Sequence, residues 1–455
     1  MSQVLPKDVP QTLRRWKRYP AYKDSGVEWL GEIPEHWKAI RLRRRCQLQQ
    51  GLQIAQNERF SEPGDNRFEY ITIKSINSGS THVNNKEYIE KPPSSVICIP
   101  DEILLARTGA TGEVISGQFG VFHNNFFKVN YNQKKILKDY LIYYLKSSQI
   151  KEHLLLLAGT TTIPDLNHGE FLDTPFFEPS IDEQKAIASF LDRETAKIDA
   201  LIAKKERLIE LLQEKRTAII SHAVSKGLDS TVPMKDSGVE WLDEIPEHWK
   251  VTKLGAKCSV KARLGWKGLK ASEYVEDGYI FLSTPNIKEK DIDFENVNYI
   301  TAERYFESPE IMLEIDDVLI AKDGSTLGIV NVVRSLPAPT TVNSSIAVIR
   351  HKQSFDSVFL YYFLASEYTQ NVIQRMKDGM GVPHLFQADL RKFTILTPPI
   401  PEQKVIASYL DRETVKIDAL ITKIREGIEK LKEYRTALIS AAVTGKIDVR
   451  NEVAS

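Results

Sequence analysis

The sequence predicts an α+β protein. Two α/β domains, related by a pseudo-two-fold axis, are separated by two long antiparallel coiled-coil helices. Three observations predict this. Residues 23–38, KDSGVEWLGEIPEHWK, return at 235–250 with only Gly31 replaced, by Asp243. A helical stretch DEQKAIASFLDRETAKIDAL, starting at Asp182, returns as PEQKVIASYLDRETVKIDAL at Pro401, a shift of 219 residues. Between each box and its helix lies a region of short β-like segments, 39–179 and 251–398, and these two regions look unlike each other. A period this long marks a duplicated domain and not a solenoid.

The order of parts follows. Residues 1–22 form an extension that is polar and basic, with Arg14, Arg15, Lys17 and Arg18. The first domain spans 23–179, the first long helix 180–227, the second domain 228–398, the second long helix 399–446 and a tail 447–455. Each helix has a start signal: Ser180-Ile-Asp-Glu183 fits a capping box, and Pro401-Glu402 places a proline and an acid in a first turn. Apolar residues then recur at steps of three and four. The first seam runs through Ile187, Leu191, Thr195, Ile198, Ile202, Ile209, Leu212 and Ile219. The second runs through Ile406, Leu410, Thr414, Ile417, Ile421, Ile424, Ile428, Leu431 and Leu438. That is coiled-coil spacing, and Gly227 and Gly445 end the two patterns. A helix of ~40 residues rising ~1.5 Å per residue is about 60 Å long. A domain of ~150 residues has a radius of gyration near 15 Å, too small to carry the chain back for a parallel partner. The pair is therefore expected to be antiparallel.

The intervening regions keep faint echoes. Asp101-Glu-Ile-Leu-Leu-Ala-Arg-Thr-Gly109 parallels Asp316-Asp-Val-Leu-Ile-Ala-Lys-Asp-Gly324, and Tyr70-Ile-Thr-Ile-Lys-Ser-Ile-Asn77 parallels Tyr279-Ile-Phe-Leu-Ser-Thr-Pro-Asn286. A third pair, Gly159 to Pro164 and Gly379 to Pro383, aligns with a gap. Continuous helices are expected over 138–157 and 355–376.

Nothing in the chain reads as a catalytic centre. Glu183-Gln-Lys185 and Glu402-Gln-Lys404 have a nuclease-like spacing, but they open helices, where an early acid complements the dipole. Arg107-Thr-Gly-Ala-Thr-Gly112 and Lys322-Asp-Gly-Ser-Thr-Leu-Gly328 follow apparent strands but lack the Walker spacing and the dinucleotide fingerprint. Each is either a tight hairpin or a loop that faces a phosphate. The nine histidines have no metal-ligand spacing, and the three cysteines, Cys46, Cys98 and Cys258, are scattered. His36-Trp37 and His248-Trp249 are expected to be structural. Net charge is zero, and no apolar run reaches the ~20 residues that cross a bilayer. The expected compartment is the cytoplasm.

The box, the Pro-x-x-x-Glu-Gln-x-x-Ile helix starts and Pro-Pro-Ile-Pro-Glu-Gln403 resemble the specificity subunit of type I restriction–modification enzymes, over nearly the whole chain beyond Tyr22. The resemblance implies two target-recognition domains, each reading one half of a bipartite double-stranded DNA site, with the helices as a ruler that docks two methyltransferase subunits. It implies no catalysis and no cofactor on this chain. S-adenosylmethionine belongs to the methyltransferase partner, and ATP and magnesium to motor–endonuclease subunits. Loops 53–67, 107–113 and 160–168, and 263–270, 322–326 and 383–387, are then the candidate readers. Within and beside them stand Arg43, Arg59, Arg67, Arg107, Thr108, Thr111, Thr161, Thr162, Asn167 and His168, and Arg263, Lys267, Lys270, Lys322, Ser325, Thr326, His384 and Gln387. Arg107 and Lys322 occupy equivalent places as phosphate or base-edge cations, or as members of loop-stabilising salt bridges. The alternative is a duplicated protein scaffold that never binds DNA, a reading that zero net charge favours.

Overall fold

The computed structural model describes residues 13, 16–74, 86–159, 164–263, 269–288, 290–351, 355–378 and 384–452. It divides into two compact units, one of residues 1–205 with 426–455 and the other of residues 206–425. The two long helices, Ile181–Lys226 and Ile400–Val443, each contribute one half to each unit.

In the first unit the repeated box forms a hairpin, Tyr22–Asp24 against Glu32–Pro34. Strand Lys38–Arg41 then pairs antiparallel with Pro175–Glu178, the strand that feeds the long helix. Between them lie two four-stranded sheets. One is antiparallel, in the order Cys46–Gln50, Phe126–Tyr131, Ile103–Ala106, Val114–Ile115. The other contains a parallel pair, Arg67–Ile71 with Gly120–Phe122, flanked by Tyr88–Glu90 and Ile97–Cys98. Strand Ile103–Ala106 is buried along its whole length, so it reads as a continuous apolar run.

The second unit repeats this plan. Met234–Asp236 pairs with Glu244–Pro246, and Lys250–Lys253 with Thr394–Thr397. One sheet runs Cys258–Lys261, Ile346–His351, Val318–Ala321, Val330–Val332, and a second runs Asn298–Ile300, Tyr279–Leu282, Thr340–Val342. Tyr279–Leu282 and Thr340–Val342 are parallel, as are their counterparts in the first unit. The first two sequence echoes are therefore equivalent strands. The third, between Gly159 and Pro164 and between Gly379 and Pro383, falls mostly outside the described residues.

The helices expected to be continuous are each broken once. They form Lys138–Lys146 with Ser148–Leu157, and Ser357–Ala365 with Glu367–Asp378. Ser147 and Ser366 take extended backbone at the breaks, and their hydroxyls donate to the carbonyls of Tyr144 and Phe363. The break puts the amide of the next helix in reach of a long helix. Ser148 N–H donates to Ser440 Oγ and Glu367 N–H to Ser221 Oγ, both at 3.2 Å. Helical periodicity runs unchanged through such a break, because the apolar stripe continues on both sides.

The box welds each domain to its helices. Trp37 is fully buried, and its Nε1–H donates to Glu183 Oε1 at 3.0 Å, with His36 Nε2 3.0 Å from Oε2. Trp249 and His248 hold Glu402 in the same way, at 3.0 and 2.8 Å. Ser180 Oγ accepts from the Glu183 amide at 3.3 Å, so it caps the helix while the Glu183 side chain is taken by the box. The next residue is buried in both copies. Gln184 donates to Pro179 O and accepts from the Leu137 amide; Gln403 donates to Pro398 O and accepts from the Asp356 amide. Each box also receives the end of the other helix. A Cβ on Gly445 (φ +72°) would stand 2.3 Å from Pro34 Cδ and 3.2 Å from the Trp37 ring, and one on Gly227 (φ +79°) 3.4 Å from the Trp249 ring. Glycine is needed there for the left-handed backbone, and at Gly445 for the close approach as well.

Within each unit the helix halves run antiparallel. In the first, Ile187, Leu191 and Ile198 share a core with Leu438 and with half-buried Ile202 and Leu431, and Arg435 Nε pairs with Asp199 at 2.9 Å. In the second, Ile406 and Leu410 pack with Ile220 and half-buried Ile219, and Arg216 Nε lies 3.3 Å from Asp418. These two ion pairs are the same pair under the 219-residue shift. Ile417, Ile421, Ile424 and Ile428 are buried, and Ile209 and Leu212 are half-buried.

Replacing Glu183 with Ala leaves the Trp37 N–H unpaired in the core, at a cost of about 1–3 kcal/mol. The denaturation midpoint of the first unit is therefore expected to fall in Glu183→Ala and to hold in Asp182→Ala, at the exposed neighbouring position. Equal midpoints in the two variants would show that the clasp carries no weight.

Candidate nucleic-acid interface

The sequence-equivalent cations Arg107 and Lys322 stand at the ends of equivalent buried strands, Ile103–Ala106 and Val318–Ala321. At each place a second loop crosses the strand end through an isolated bridge, Thr108 with Asp165 and Asp323 with His384. The crossing is anchored by the backbone. Leu166 N–H donates to Arg107 O at 3.1 Å, and Leu385 N–H to Lys322 O at 2.8 Å.

In the first domain the crossing is held by charge. Arg107 Nε and Nη2 donate to the two oxygens of Asp165 at 2.8 and 2.6 Å, a bidentate fork, and Thr108 Oγ1 donates to Oδ1 at 2.5 Å. Thr111 donates to Arg107 O or Pro164 O, both at 2.9 Å. The Arg107 guanidinium lies over the Phe127 ring, and His168 packs on the same ring with centroids 4.3 Å apart. Hydrogen bonding from Arg107, with help from Thr108, holds the Asp165 carboxyl below the usual carboxylate range. Burial, and then the Arg107 charge, push the His168 imidazole down, which favours its neutral form. Asn167 Oδ1 caps helix His168–Asp173 by accepting from the Glu170 amide at 3.0 Å.

The second domain builds the same crossing with different chemistry. Lys322 is buried, and that burial lowers its ammonium pKa. His384 Nδ1 lies 3.3 Å from Asp323 Oδ2, its ring edge-on to the half-exposed Phe386. Gln387 Nε2 donates to Ala262 O at 3.4 Å. Thr326 Oγ1 donates to Asp323 O, and Ser325 is exposed in the Gly324–Thr326 turn. Arg263 is almost wholly enclosed. Its Nε donates to Val342 O at 3.4 Å, Nη1 lies 3.7 Å from Glu307, and burial lowers its pKa.

Arg107, Thr108, Thr111, Asn167 and His168 thus come together in the first domain, and Lys322, Ser325, Thr326, His384 and Gln387 in the second. Three other arginines sit apart, each with partners of its own. Arg43 pairs with Asp173 at 2.7 Å. Arg59 pairs with Glu87 at 2.8 Å, bonds Ile54 O and lies over Tyr70. Arg67 lies over Phe60 with a bond to Glu62 O. Lys270 is exposed and opens the short turn Ala271–Glu273. Thr161, Thr162 and Lys267 lie outside the described residues. Asp165, Asp323 and Phe386, inside the candidate loops 160–168, 322–326 and 383–387, also belong to the two crossings, though the sequence did not single them out within those loops. The Asp165 fork makes Arg107 a member of a loop-stabilising salt bridge, the alternative that its sequence left open.

Among the described residues no group of three His, Cys, Asp or Glu is placed to hold a metal ion, and no helix is long and apolar enough to cross a membrane.

The profile of the type I restriction modification DNA specificity domain matches this chain twice, over residues 34–211 and 246–430. Each match covers one intervening region together with most of the long helix that follows. The chain belongs to the type I restriction–modification DNA specificity family. The MjaVIII specificity subunit of Methanocaldococcus jannaschii is 24% identical over 425 residues, covering 92% of this chain and 95% of its own. The crystal structure of the HsdS subunit from Thermoanaerobacter tengcongensis has the same fold, with a TM-score of 0.53 at 17% identity over 91% of this chain and 98% of that one. So does a chain from a study of complex assembly and conformational transition of the type I R-M system, with a TM-score of 0.64 at 18% identity, over 91% and 99%. The two α/β domains are thus target-recognition domains of a DNA specificity subunit, and the long helices are its coiled-coil spacer.

The Asp165 fork has a direct test. A carboxyl whose pKa is depressed in the folded chain stabilises it above the unfolded value near ~3.9, and that contribution is lost as pH falls through the lower, folded pKa. The Asp165 carboxyl carbon, followed by NMR, is expected to titrate below the usual carboxylate range and to return to it in Arg107→Ala. An ordinary midpoint in the natural chain would show that the fork does not form in solution.

Proposed function

We propose that each target-recognition domain reads one half of a bipartite double-stranded DNA site, and that the helix pair sets the length of the unread spacer between the halves. The repeated clasp carries this reading. One chain makes the same Trp–Glu weld twice, at Glu183 and Glu402, while the regions between box and helix differ. Equal scaffolding with unequal heads is what a reader of two different half-sites requires.

The strand-end crossings at Arg107 and Lys322 face the duplex in this reading. The exposed Ser325 hydroxyl and the Arg107 edge supply phosphate contacts that fix register, and neighbouring side chains select bases. A guanidinium already held by Asp165 is oriented before DNA arrives, so less side-chain freedom is lost on binding. The crossing in the second domain offers a histidine and an aromatic ring in place of the fork, so its half-site differs. Two methyltransferase subunits dock on the helices and carry S-adenosylmethionine. Motor–endonuclease subunits with ATP and magnesium complete a restriction complex, and the assembly works in the cytoplasm.

Removing seven residues from each helix, 204–210 and 423–429, shortens the pair by about 10 Å at ~1.5 Å per residue, or about three base pairs at ~3.4 Å each. Methylation mapping in cells that carry the methyltransferase partner is expected to show both half-sites unchanged and the spacer shorter by about that number. An unchanged spacer would defeat the ruler.

A further inference from the structure

Both long helices begin with equivalent outward surfaces, and among the described residues one of the two is covered and the other is not. Under the 219-residue shift, Ala186, Phe190 and Arg193 of the first helix become Val405, Tyr409 and Arg412 of the second. In the first unit Leu13, Trp16 and residues 449–452 lie over this surface. Leu13 and Val449 are fully buried there, and Trp16 meets the Phe190 ring edge-on with centroids 4.8 Å apart. Trp16 Nε1 donates to the Tyr434 hydroxyl at 3.2 Å, which ties this strap to the second helix. Arg193 lies over the Phe190 ring, pairs with Glu194 at 3.1 Å and donates from Nη1 to the Glu452 carbonyl at 2.5 Å. Phe190 is left with no exposed surface.

The second unit keeps the arginine and the ring, and among its described residues nothing takes the place of the cover. Arg412 lies 5.6 Å over the Tyr409 ring and pairs with Glu413 at 3.1 Å, matching Arg193. Among the described residues no carbonyl meets its Nη atoms, and its side chain is 61% exposed against 35% for Arg193. Val405 is 59% exposed, and Leu228, where the chain leaves the other helix, is 42% exposed. With Lys404, Ser408 and Tyr409 these residues line an open groove of about 400 Å³. Its floor is apolar and aromatic and its rim carries two cations, Lys404 and Arg412. Its complement is a segment with an aromatic side chain and an acceptor of negative or partial negative charge.

We propose that this groove docks a segment of a methyltransferase subunit, which brings an aromatic ring to Tyr409 and a carboxylate or chain carbonyl to Arg412. These are the groups that Trp16 and Glu452 bring to Phe190 and Arg193 in the first unit. The inference rests on the assembly reading given above and adds a residue-level contact and an inequality to it. One helix start is filled by the chain itself, and the other is open to a partner.

The test uses the full chain with the methyltransferase subunit of its own system, by titration and native mass spectrometry. Val405→Asp puts a carboxylate on an exposed part of the floor without touching the core, and Arg412→Glu reverses the rim. Each is expected to weaken binding of one methyltransferase subunit tenfold or more, leaving complexes with one copy where the natural chain holds two. If the natural chain binds and both variants bind equally well, the docking inference is overturned and the assembly reading stands. If the natural chain binds no methyltransferase subunit, the assembly reading falls and takes the inference with it. A dimer of this chain alone that Val405→Asp dissolves would overturn it too, in favour of a second copy's Trp16 segment as the occupant.

Discussion

The contact on which the rest depends is an indole N–H given to a carboxylate in the first turn of a long helix. Trp37 and Trp249 are each sealed in a core, and Glu183 and Glu402 are their acceptors. A buried carboxylate such as Glu183 is costly unless its oxygens are satisfied, and in both clasps, at buried Glu183 and half-buried Glu402, the neighbouring histidine takes the other oxygen. The pairing therefore permits one placement of the helix start against the box. Because Gly227 and Gly445 seat the other helix's end on the same tryptophan, a single box fixes both strands of the coiled coil at its end of the pair. A hinge at this point would let each domain swing on the helix half in its own unit. The clasp removes the hinge.

The neutral net charge, which favoured a scaffold that ignores DNA, is a sum over the chain and does not say where its cations stand. Many arginines are paired with acids: Arg43 with Asp173, Arg45 with Glu178, and Arg350 with both Asp317 and Glu314. Exposed pairs of this kind add little stability, so their worth is in orientation. The Arg107–Asp165 fork illustrates this, since it aims a guanidinium that would otherwise sample many rotamers.

Much of the architecture was legible because duplication writes it twice. The box, the helix seam and the strand pairs Ile103–Ala106 with Val318–Ala321 and Tyr279–Leu282 with Arg67–Ile71 all stand out once the two halves are laid side by side. The breaks at Ser147 and Ser366 were hidden, because a serine mid-helix is ordinary and the stripe continues past it. The role of Glu183 was hidden for a different reason. Its partner lies 146 residues away, and an acid in a first turn already has a sufficient local explanation. At the recognition loops, residue type misleads. Lys322 and Arg263 are cations that burial encloses, against the strong tendency of such side chains to stay in water. Asp165, an acid, is what orients the cation that the loop presents.

The central claim is that the Trp–Glu clasp fixes the start of each long helix against the domain of its own unit. Cys46, Cys98 and Cys258 are all buried, so surface cysteines introduced within the first unit as Ile99→Cys and Leu201→Cys can be spin-labelled selectively. Pulsed electron–electron double resonance is expected to give one narrow distance that broadens when Glu183 is replaced by Ala. A broad distribution in the natural chain, or a narrow one that the substitution leaves untouched, would contradict the account.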